Sequence, residues 1–185
     1  APDGTSNWTW GNSAASRNIG RLAGIVGVGY SEQFAYDASG RPASRTIISD
    51  ASFRYDYAYN NLGLLDSLTY PSSVSGTRFK IGFDYDAGRL TRIRNLAQSR
   101  LERLKDPTGA GSTLWQLNTI DSAGRVIDES LGTATRLITG FDPLSGAMEY
   151  RQSGAGGGAS AQNLAYAWDN NGNLVRREDH NQALV

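Results

Sequence analysis

The 185-residue chain predicts an all-β fold of tandem antiparallel β-hairpins forming one extended, curved sheet. Three observations carry the prediction. An aromatic residue, an Asp or Asn, two variable residues and a glycine recur along the chain. The residues ahead of these sites alternate between apolar and polar. The composition, with 22 glycines and 9 tyrosines against a single methionine, suits turns joining aromatic-rich strands better than packed helices.

The repeat is explicit in Tyr36-Asp37-Ala38-Ser39-Gly40-Arg41, Tyr59-Asn60-Asn61-Leu62-Gly63-Leu64 and Trp168-Asp169-Asn170-Asn171-Gly172-Asn173. Ile120-Asp121-Ser122-Ala123-Gly124-Arg125 keeps all but the aromatic. Tyr85-Asp86-Ala87-Gly88-Arg89-Leu90 is one residue shorter between Asp and glycine, and Phe141-Asp142-Pro143-Leu144-Ser145-Gly146 is one residue longer. A partial copy ends at Ile19-Gly20-Arg21-Leu22. The intervals 36 to 59, 59 to 85, 120 to 141 and 141 to 168 are 23, 26, 21 and 27 residues, the size of one supersecondary unit. The wider gap from 85 to 120, 35 residues, contains Asp106-Pro107-Thr108-Gly109. It holds either a degenerate copy or a short inserted helix carried by Ala97, Leu101 and Leu104.

Asp or Asn at the first position of a type I turn accepts a nearby backbone N–H. A glycine at the fourth position takes the left-handed conformation that closes the hairpin with a bulge. The predicted turn residues are therefore Asp37 and Gly40, Asn60 and Gly63, Asp86 and Gly88, Asp121 and Gly124, Asp142 and Gly146, and Asp169 and Gly172. Pro143 and Pro107 directly follow an Asp, where a fixed φ suits the second turn position. Ahead of the turns, Phe53, Tyr55, Tyr57 and Tyr59 point one way and Ser52, Arg54, Asp56 and Ala58 the other. Phe79, Ile81, Phe83 and Tyr85 repeat the phase, as do Leu164, Tyr166 and Trp168. Leu114-Trp115-Gln116-Leu117 breaks it, which predicts a bulge or irregular segment there. Isolated two-stranded hairpins are marginal in water, so neighbouring hairpins must stack edge to edge and bury the aromatic ladder between them. Open edges of such a sheet predict self-association.

Composition excludes several roles. Lysine plus arginine and aspartate plus glutamate both number 18, so no net field draws nucleic acid or anionic membrane. The absence of cysteine removes disulfides, thiolate zinc sites and cysteine nucleophiles. No apolar run approaches the roughly 18 residues of a membrane span, and Ala1-Pro2-Asp3-Gly4 does not open a signal peptide, so the chain reads as soluble.

Tyr36-Asp37-Ala38-Ser39-Gly40-Arg41, Phe83-Asp84-Tyr85-Asp86-Ala87-Gly88-Arg89-Leu90 and Tyr166-Ala167-Trp168-Asp169-Asn170-Asn171-Gly172-Asn173-Leu174 resemble the YD-repeat, or Rhs, family. The likeness runs from about residue 18 to the end. It divides the chain into an N-terminal strand or partial repeat, 1–17, and an array of about six hairpin units, 18–185, irregular near 95–115. The resemblance implies hairpin strips winding as a spiral into a hollow shell, as in bacterial Rhs proteins, the encapsulating parts of insecticidal toxin complexes and the teneurin barrel. It also implies a secreted or cell-surface bacterial setting. Partners would be further YD repeats and a C-terminal core or toxin of the same polypeptide, neither of which is visible in this chain. Leu64, Ala147 and Asn173 replace the arginine after three glycines and Ile120 replaces one aromatic, which puts local register in doubt there.

Other residues read more plainly as structure. His180 is the single histidine and lies near the C-terminus, a poor centre for a triad. Asp169-Asn170-Asn171-Gly172-Asn173 lacks the glycine spacing and bidentate glutamate of a calcium loop, so no metal is expected. Gly154-Ala155-Gly156-Gly157-Gly158-Ala159 has no following Lys-Ser/Thr for phosphates and reads as a flexible loop between repeats. Asp84 and Asp86 sit two apart on one strand, with Asp86 used by a turn, which does not suit glycoside hydrolysis. The expected function is thus a non-catalytic wall segment enclosing or carrying a toxin effector, without catalytic residue or cofactor. An adhesion or carbohydrate-binding surface using exposed aromatics such as Trp8 and Trp10 is the alternative. An autoprotease or hydrolase depending on His180 comes third.

Overall fold

The computed structural model describes residues 4–96 and 111–182. Among them there is no helix, and fourteen strands follow one another in chain order in an antiparallel sheet. Both readings of the wide gap, the helix over Ala97, Leu101 and Leu104 and the degenerate copy at Asp106–Gly109, lie outside the described residues.

The chain divides into two compact units, residues 1–83 with 95–111, and 84–94 with 112–185. The first unit holds β1 (Asn7–Trp10), β2 (Leu22–Gly27), β3 (Tyr30–Tyr36), β4 (Pro42–Ile48), β5 (Ser52–Tyr59), β6 (Leu65–Ser72) and most of β7 (Arg78–Asp86). The second holds the end of β7, nearly all of β8 (Arg89–Asn95), then β9 (Ser112–Ile120), β10 (Val126–Leu131), β11 (Thr135–Phe141), β12 (Met148–Ala155), β13 (Gln162–Trp168) and β14 (Leu174–Asp179).

Opposed residues of an antiparallel pair share a face, so the register shows where the alternation leads. In the first unit one row runs Trp8, Ile25, Glu32, Ile47 and Phe53, and another Tyr57, Leu68 and Ile81. The other face carries Ser44, Asp56, Thr69 and Lys80. In the second unit the row Leu117, Glu129, Leu137 and Ser153 opposes the polar row Asp128, Ile138, Gln152 and Asn163.

Such a sheet buries little. Its buried apolar residues are Ile81, Leu137 and Leu164, while Phe53, Phe79, Tyr150 and Trp168 stay more than a third exposed. The expectation that stacking buries the aromatic ladder holds only in part: the rings touch along the sheet, but those four keep much of their surface open. Tyr55 packs edge-on against Tyr70 at 5.9 Å between ring centres, and Tyr70 against Phe79 at 5.7 Å.

Glu32 is 6 % exposed within the apolar row and is held by a two-pronged pair with Arg45, Nε to Oε2 and Nη2 to Oε1, both 2.7 Å. Trp115 Nε1 donates to Glu129 in the equivalent setting of the second unit. Each of these two rows thus contains a carboxylate satisfied by a neighbour on the same face.

The predicted irregularity around Leu114–Leu117 is displaced. β9 stays regular through Leu117, and register is lost between Leu117 and Thr119, where Asn118 has no direct counterpart. The bulge switches the buried phase from Trp115 and Leu117 to Ile120. Asn118 Nδ2 donates to Asp128 Oδ1 at 3.0 Å and to Ser130 at 2.8 Å, holding the bulge in place.

Replacing Glu32 with Ala leaves the Arg45 guanidinium against the apolar row without its carboxylate. Because Arg45 is partly exposed, the expected loss is at the lower end for a broken pair, about 1–3 kcal/mol. A urea titration reads it as a lowered midpoint with unchanged slope; an unchanged midpoint would show that water substitutes for the carboxylate.

Candidate functional site

Odd-to-even strand connections place the Asx-glycine corners along one edge of each unit, and these corners are the most elaborate polar structure in the chain. At Asp37 the backbone N–H groups of Ser39 and Arg41 both donate to Oδ1 at 2.9 Å. Gly40 N–H donates to Asp37 O at 2.9 Å, and Asp37 N–H to Arg41 O at 2.8 Å. Asn60 accepts from Leu62 and Leu64, both at 3.0 Å, Asp121 from Ala123 and Arg125, both at 2.9 Å, and Asp169 from Asn171 and Asn173 at 2.9 and 2.8 Å. At the longer Asp142 corner the donors are Leu144 and Ser145, at 3.2 and 2.6 Å.

Gly40, Gly63, Gly124, Gly146 and Gly172 have φ between +73° and +81°. A side chain at φ of this sign is strained, which is why glycine closes every one of these hairpins. Just beyond, one residue has no counterpart on the partner strand in each hairpin: Ala43, Asp66, Ile127, Glu149 and Val175. The hairpins in which arginine is replaced by Leu64, Ala147 or Asn173 therefore carry the same single shift as the one at Arg41, while the one at Ile120 carries a second shift at Asn118.

Asp86 and Gly88 differ. Ala87 and Gly88 have φ of 47° and 80°, so the shorter copy turns through a two-residue loop of the kind with both central residues left-handed, and Asp86 ends its strand. The N-terminal copy is hidden by an insertion. Trp10 pairs with Leu22, Gly11 N–H donates to Arg21 O at 2.7 Å, and Gly20 N–H to Gly11 O at 2.9 Å, so Gly11 occupies the Asx position and Gly20 the closing one. The glycine-rich stretch is a loop between repeats only in part: Gly154 and Ala155 end β12, and residues 156–159 lie in the connection to β13, where Gly158 N–H donates to Ala155 O at 3.0 Å and Gly156 N–H to Ala134 O at 3.3 Å.

Sequence reasoning noted the arginines after the corner glycines but missed what they touch. Each one following a corner glycine faces the next corner. Arg125 Nε donates to its own Asp121 Oδ2 at 2.7 Å, Nη1 donates to Gly146 O at 2.7 Å, and the guanidinium lies over the Phe141 ring at 4.2 Å. Arg41 likewise pairs with Asp37, Nε to Oδ2 at 2.8 Å, and lies over Tyr59 at 4.3 Å. Arg21 sits 5.5 Å from the Tyr36 ring centre, and Arg89 Nη1 donates to Gly124 O at 3.3 Å. The aromatics answer backwards: Tyr36 hydroxyl donates to Leu22 O at 2.6 Å, Tyr59 to Pro42 O at 2.9 Å, and Trp168 Nε1 to Met148 O at 2.7 Å. The acceptor is in each case the second residue past the previous corner glycine. The aromatic therefore spans the gap between adjacent turns, and the arginine clamps it from the other side. The Gly-Arg dipeptides at 20, 40, 88 and 124 were the available signal.

These bonds set the electrostatics. Asp37 and Asp121 are held below the usual carboxylate range, first by the backbone N–H of Arg41 and of Arg125 and then by the same guanidiniums. Asp169 is lowered by the Asn173 amide, and Asp142 by the Ser145 hydroxyl and N–H. Asp84 is also lowered: burial opposes its charge, but the side chains of Arg92 and Arg94 overcome it, at 2.6 and 2.7 Å. His180 is exposed, 3.9 Å from Glu178. Among the described residues no three His, Cys, Asp or Glu gather as metal ligands, and no helix is long and apolar enough to cross a membrane. An open depression lined by Asp121, Ile127, Asp128, Ile138, Phe141 and Tyr150 follows a hairpin seam, and both of its carboxylates are already engaged, Asp121 by its own turn and Asp128 by Asn118 and Arg136.

No protein-family model and no curated protein matches the sequence. Solved structures do match. The TcdB2–TccC3–Cdc42 structure superposes with a TM-score of 0.74 over 97 % of this chain at 13 % identity. TcdB2–TccC3 without its hypervariable C-terminal region gives 0.74 over 95 % at 14 %. The Photorhabdus luminescens Tc holotoxin pore carrying a TccC3 mutation gives 0.72 over 97 % at 15 %. The chain shares the fold of these toxin-complex proteins and covers 9 % of each matched chain.

The depressed carboxylates fix the sign of the pH response. A folded pKa below the unfolded one contributes stability that is present above about pH 4 and lost as pH falls through the folded values. Urea midpoints should therefore decline in acid, and the decline should shrink in the double variant Asp37→Asn, Asp121→Asn, where the amide keeps the Oδ1 acceptor as Asn60 does. Identical acid profiles would remove these aspartates from the cause. Separately, a double-mutant cycle of Arg125→Ala and Phe141→Ala should return a coupling of about 0.5–1 kcal/mol; strict additivity would show that the stacked pair does not clamp the hairpins.

Proposed function

We propose that this chain is a structural, non-catalytic segment of a secreted or delivered Rhs/YD-repeat protein, one stretch of a β-shell wall that encloses or carries an effector. The corner relay is the observation that carries the reading. Asp37, Arg41, Asp121 and Arg125, which have the chemistry to act on a ligand, are bonded to the sheet's own turns and to the next hairpin. Groups used this way hold a scaffold in register. The fold shared with toxin-complex structures supports the same role, as does a sheet stabilised by neighbours more than by a central core.

A surface for glycans or cell-surface partners is the second reading. It is favoured by Trp8, which is 60 % exposed on the apolar row and takes no part in the relay. Glycan binding that disappears in Trp8→Ala would establish it.

The wall reading is tested in the complete polypeptide that contains this chain, by limited proteolysis followed by mass spectrometry. Sequence enclosed by the wall should resist cleavage in the native protein and become cleavable in the double variant Arg41→Ala, Arg125→Ala, which loosens two corners. Equal cleavage of every segment outside the hairpins in both proteins would overturn it.

A further inference from the structure

The arginine that follows a corner glycine can make three contacts, and Arg125 makes all of them. Its Nε donates to its own corner aspartate, Asp121 Oδ2, at 2.7 Å, and its Nη1 donates to the next corner's Gly146 O at 2.7 Å. The guanidinium itself lies 4.2 Å from the centre of the Phe141 ring. The next corner glycine is approached in the same way throughout. Where a Cβ would stand on Gly40, Gly63, Gly124 or Gly146, the nearest group beyond the adjoining residues is the guanidinium of Arg21, Arg41, Arg89 or Arg125 respectively.

The junction between the Asp142 and Asp169 corners keeps the same three partners but has no arginine of its own, because Ala147 follows Gly146. Asp142 Oδ1 accepts from Leu144 and Ser145 within its turn, while Oδ2 accepts from no described group. Trp168 is fixed by its indole N–H on Met148 O at 2.7 Å and stays 39 % exposed. No described group lies within 4 Å of the point where a side chain would begin on Gly172. A depression of about 620 Å³ opens here, lined in part by Asp142, Ala147, Glu149, Trp168, Asp169 and Gly172, and no cationic residue lines it. Gly88 is equally open, but the corner before it supplies the amide of Asn60 and the side chain of Leu64 in place of a carboxylate and a small residue.

We infer that this junction binds a guanidinium group, supplied by an arginine side chain of a polypeptide segment outside the two hairpins. The group would lie on the Trp168 ring with one N–H on Asp142 Oδ2 and another on Gly172 O, as Arg125 does with Phe141, Asp121 and Gly146. Lysine is the poorer fit, since a compact ammonium cannot stack flat on the ring and present a fork to both acceptors. Glu149 and Asp169 add negative charge around the same opening. The source is a polypeptide because every guanidinium seated this way in the sheet is an arginine side chain. The site lies across the paired strands β12 and β13, so it does not depend on what adjoins β14, and it stands apart from the enclosure of an effector.

Fluorine NMR of the chain labelled with fluorotryptophan tests the site, with Trp8, Trp10, Trp115 and Trp168 each assigned from its phenylalanine variant. N-acetyl-arginine methylamide should shift the Trp168 signal saturably at roughly millimolar concentration, and well beyond any shift of the exposed Trp8 and Trp10. The matching lysine compound should bind several-fold more weakly. Asp142→Asn keeps the Oδ1 acceptor for the turn but puts a donor where Oδ2 stood, and should weaken the titration. Ala147→Arg should abolish it by seating a guanidinium from within. Unmoved Trp8, Trp10 and Trp115 signals show that each variant is folded. An unshifted Trp168, an equal response to lysine, an unchanged titration in either folded variant, or tighter binding of free arginine than of the capped form would each overturn the inference.

Discussion

The structure depends on a corner in which one side-chain oxygen satisfies two backbone N–H groups that a tight turn leaves without partners. Asp37 Oδ1 does this for Ser39 and Arg41, and Asn60, Asp121 and Asp169 do it in the same way. A left-handed glycine closes each of these corners, and the bulge that follows sets the register of the next strand. Without the corner the hairpin would have a ladder but no fixed phase, and a slip of one residue would move the apolar rows to the other face. Asn60 shows that the constraint is hydrogen bonding more than charge, since a neutral amide forms the same turn.

From the corners the stability spreads sideways. A sheet with Ile81, Leu137 and Leu164 as its buried apolar residues cannot rely on a central core. It draws instead on contacts between successive hairpins: Arg41 over Tyr59, Arg125 over Phe141, and ring-tip donors to the preceding strand's carbonyl. These contacts have a direction. Between the corners at Gly20, Gly40 and Gly63, arginine reaches forward, Arg21 to Tyr36 and Arg41 to Tyr59, and the aromatic reaches back to Leu22 O and Pro42 O, so those hairpins are joined through different groups in the two directions. That asymmetry suits a structure extended by repetition, and the junctions of defined register share one offset.

The same economy bears on function. In a cleft enzyme, depressed carboxylates and oriented guanidiniums mark where a substrate would sit. Here Asp37, Asp121 and Asp84 are depressed because the sheet's own N–H groups and arginines surround them. Perturbed acidity in this chain accordingly reports architecture.

What the sequence determined by itself was the local chemistry. Asx followed by glycine at a fixed distance specifies a turn, and period-two alternation before it specifies a one-sided strand, because both depend on residues within a few positions of each other. The identity of the corner residues and the all-β class were legible for that reason. Tertiary structure alone decided what connects residues 13 to 35 positions apart. Arg45 rescues Glu32 inside an apolar row, Arg125 addresses Gly146, Asn118 takes the bulge in place of the 114–117 segment, and Phe53, Phe79, Tyr150 and Trp168 stay more than a third exposed. Those outcomes depend on how hairpins lie beside one another, and a side chain's partner across that seam is fixed by register, which arises only once the turns have closed.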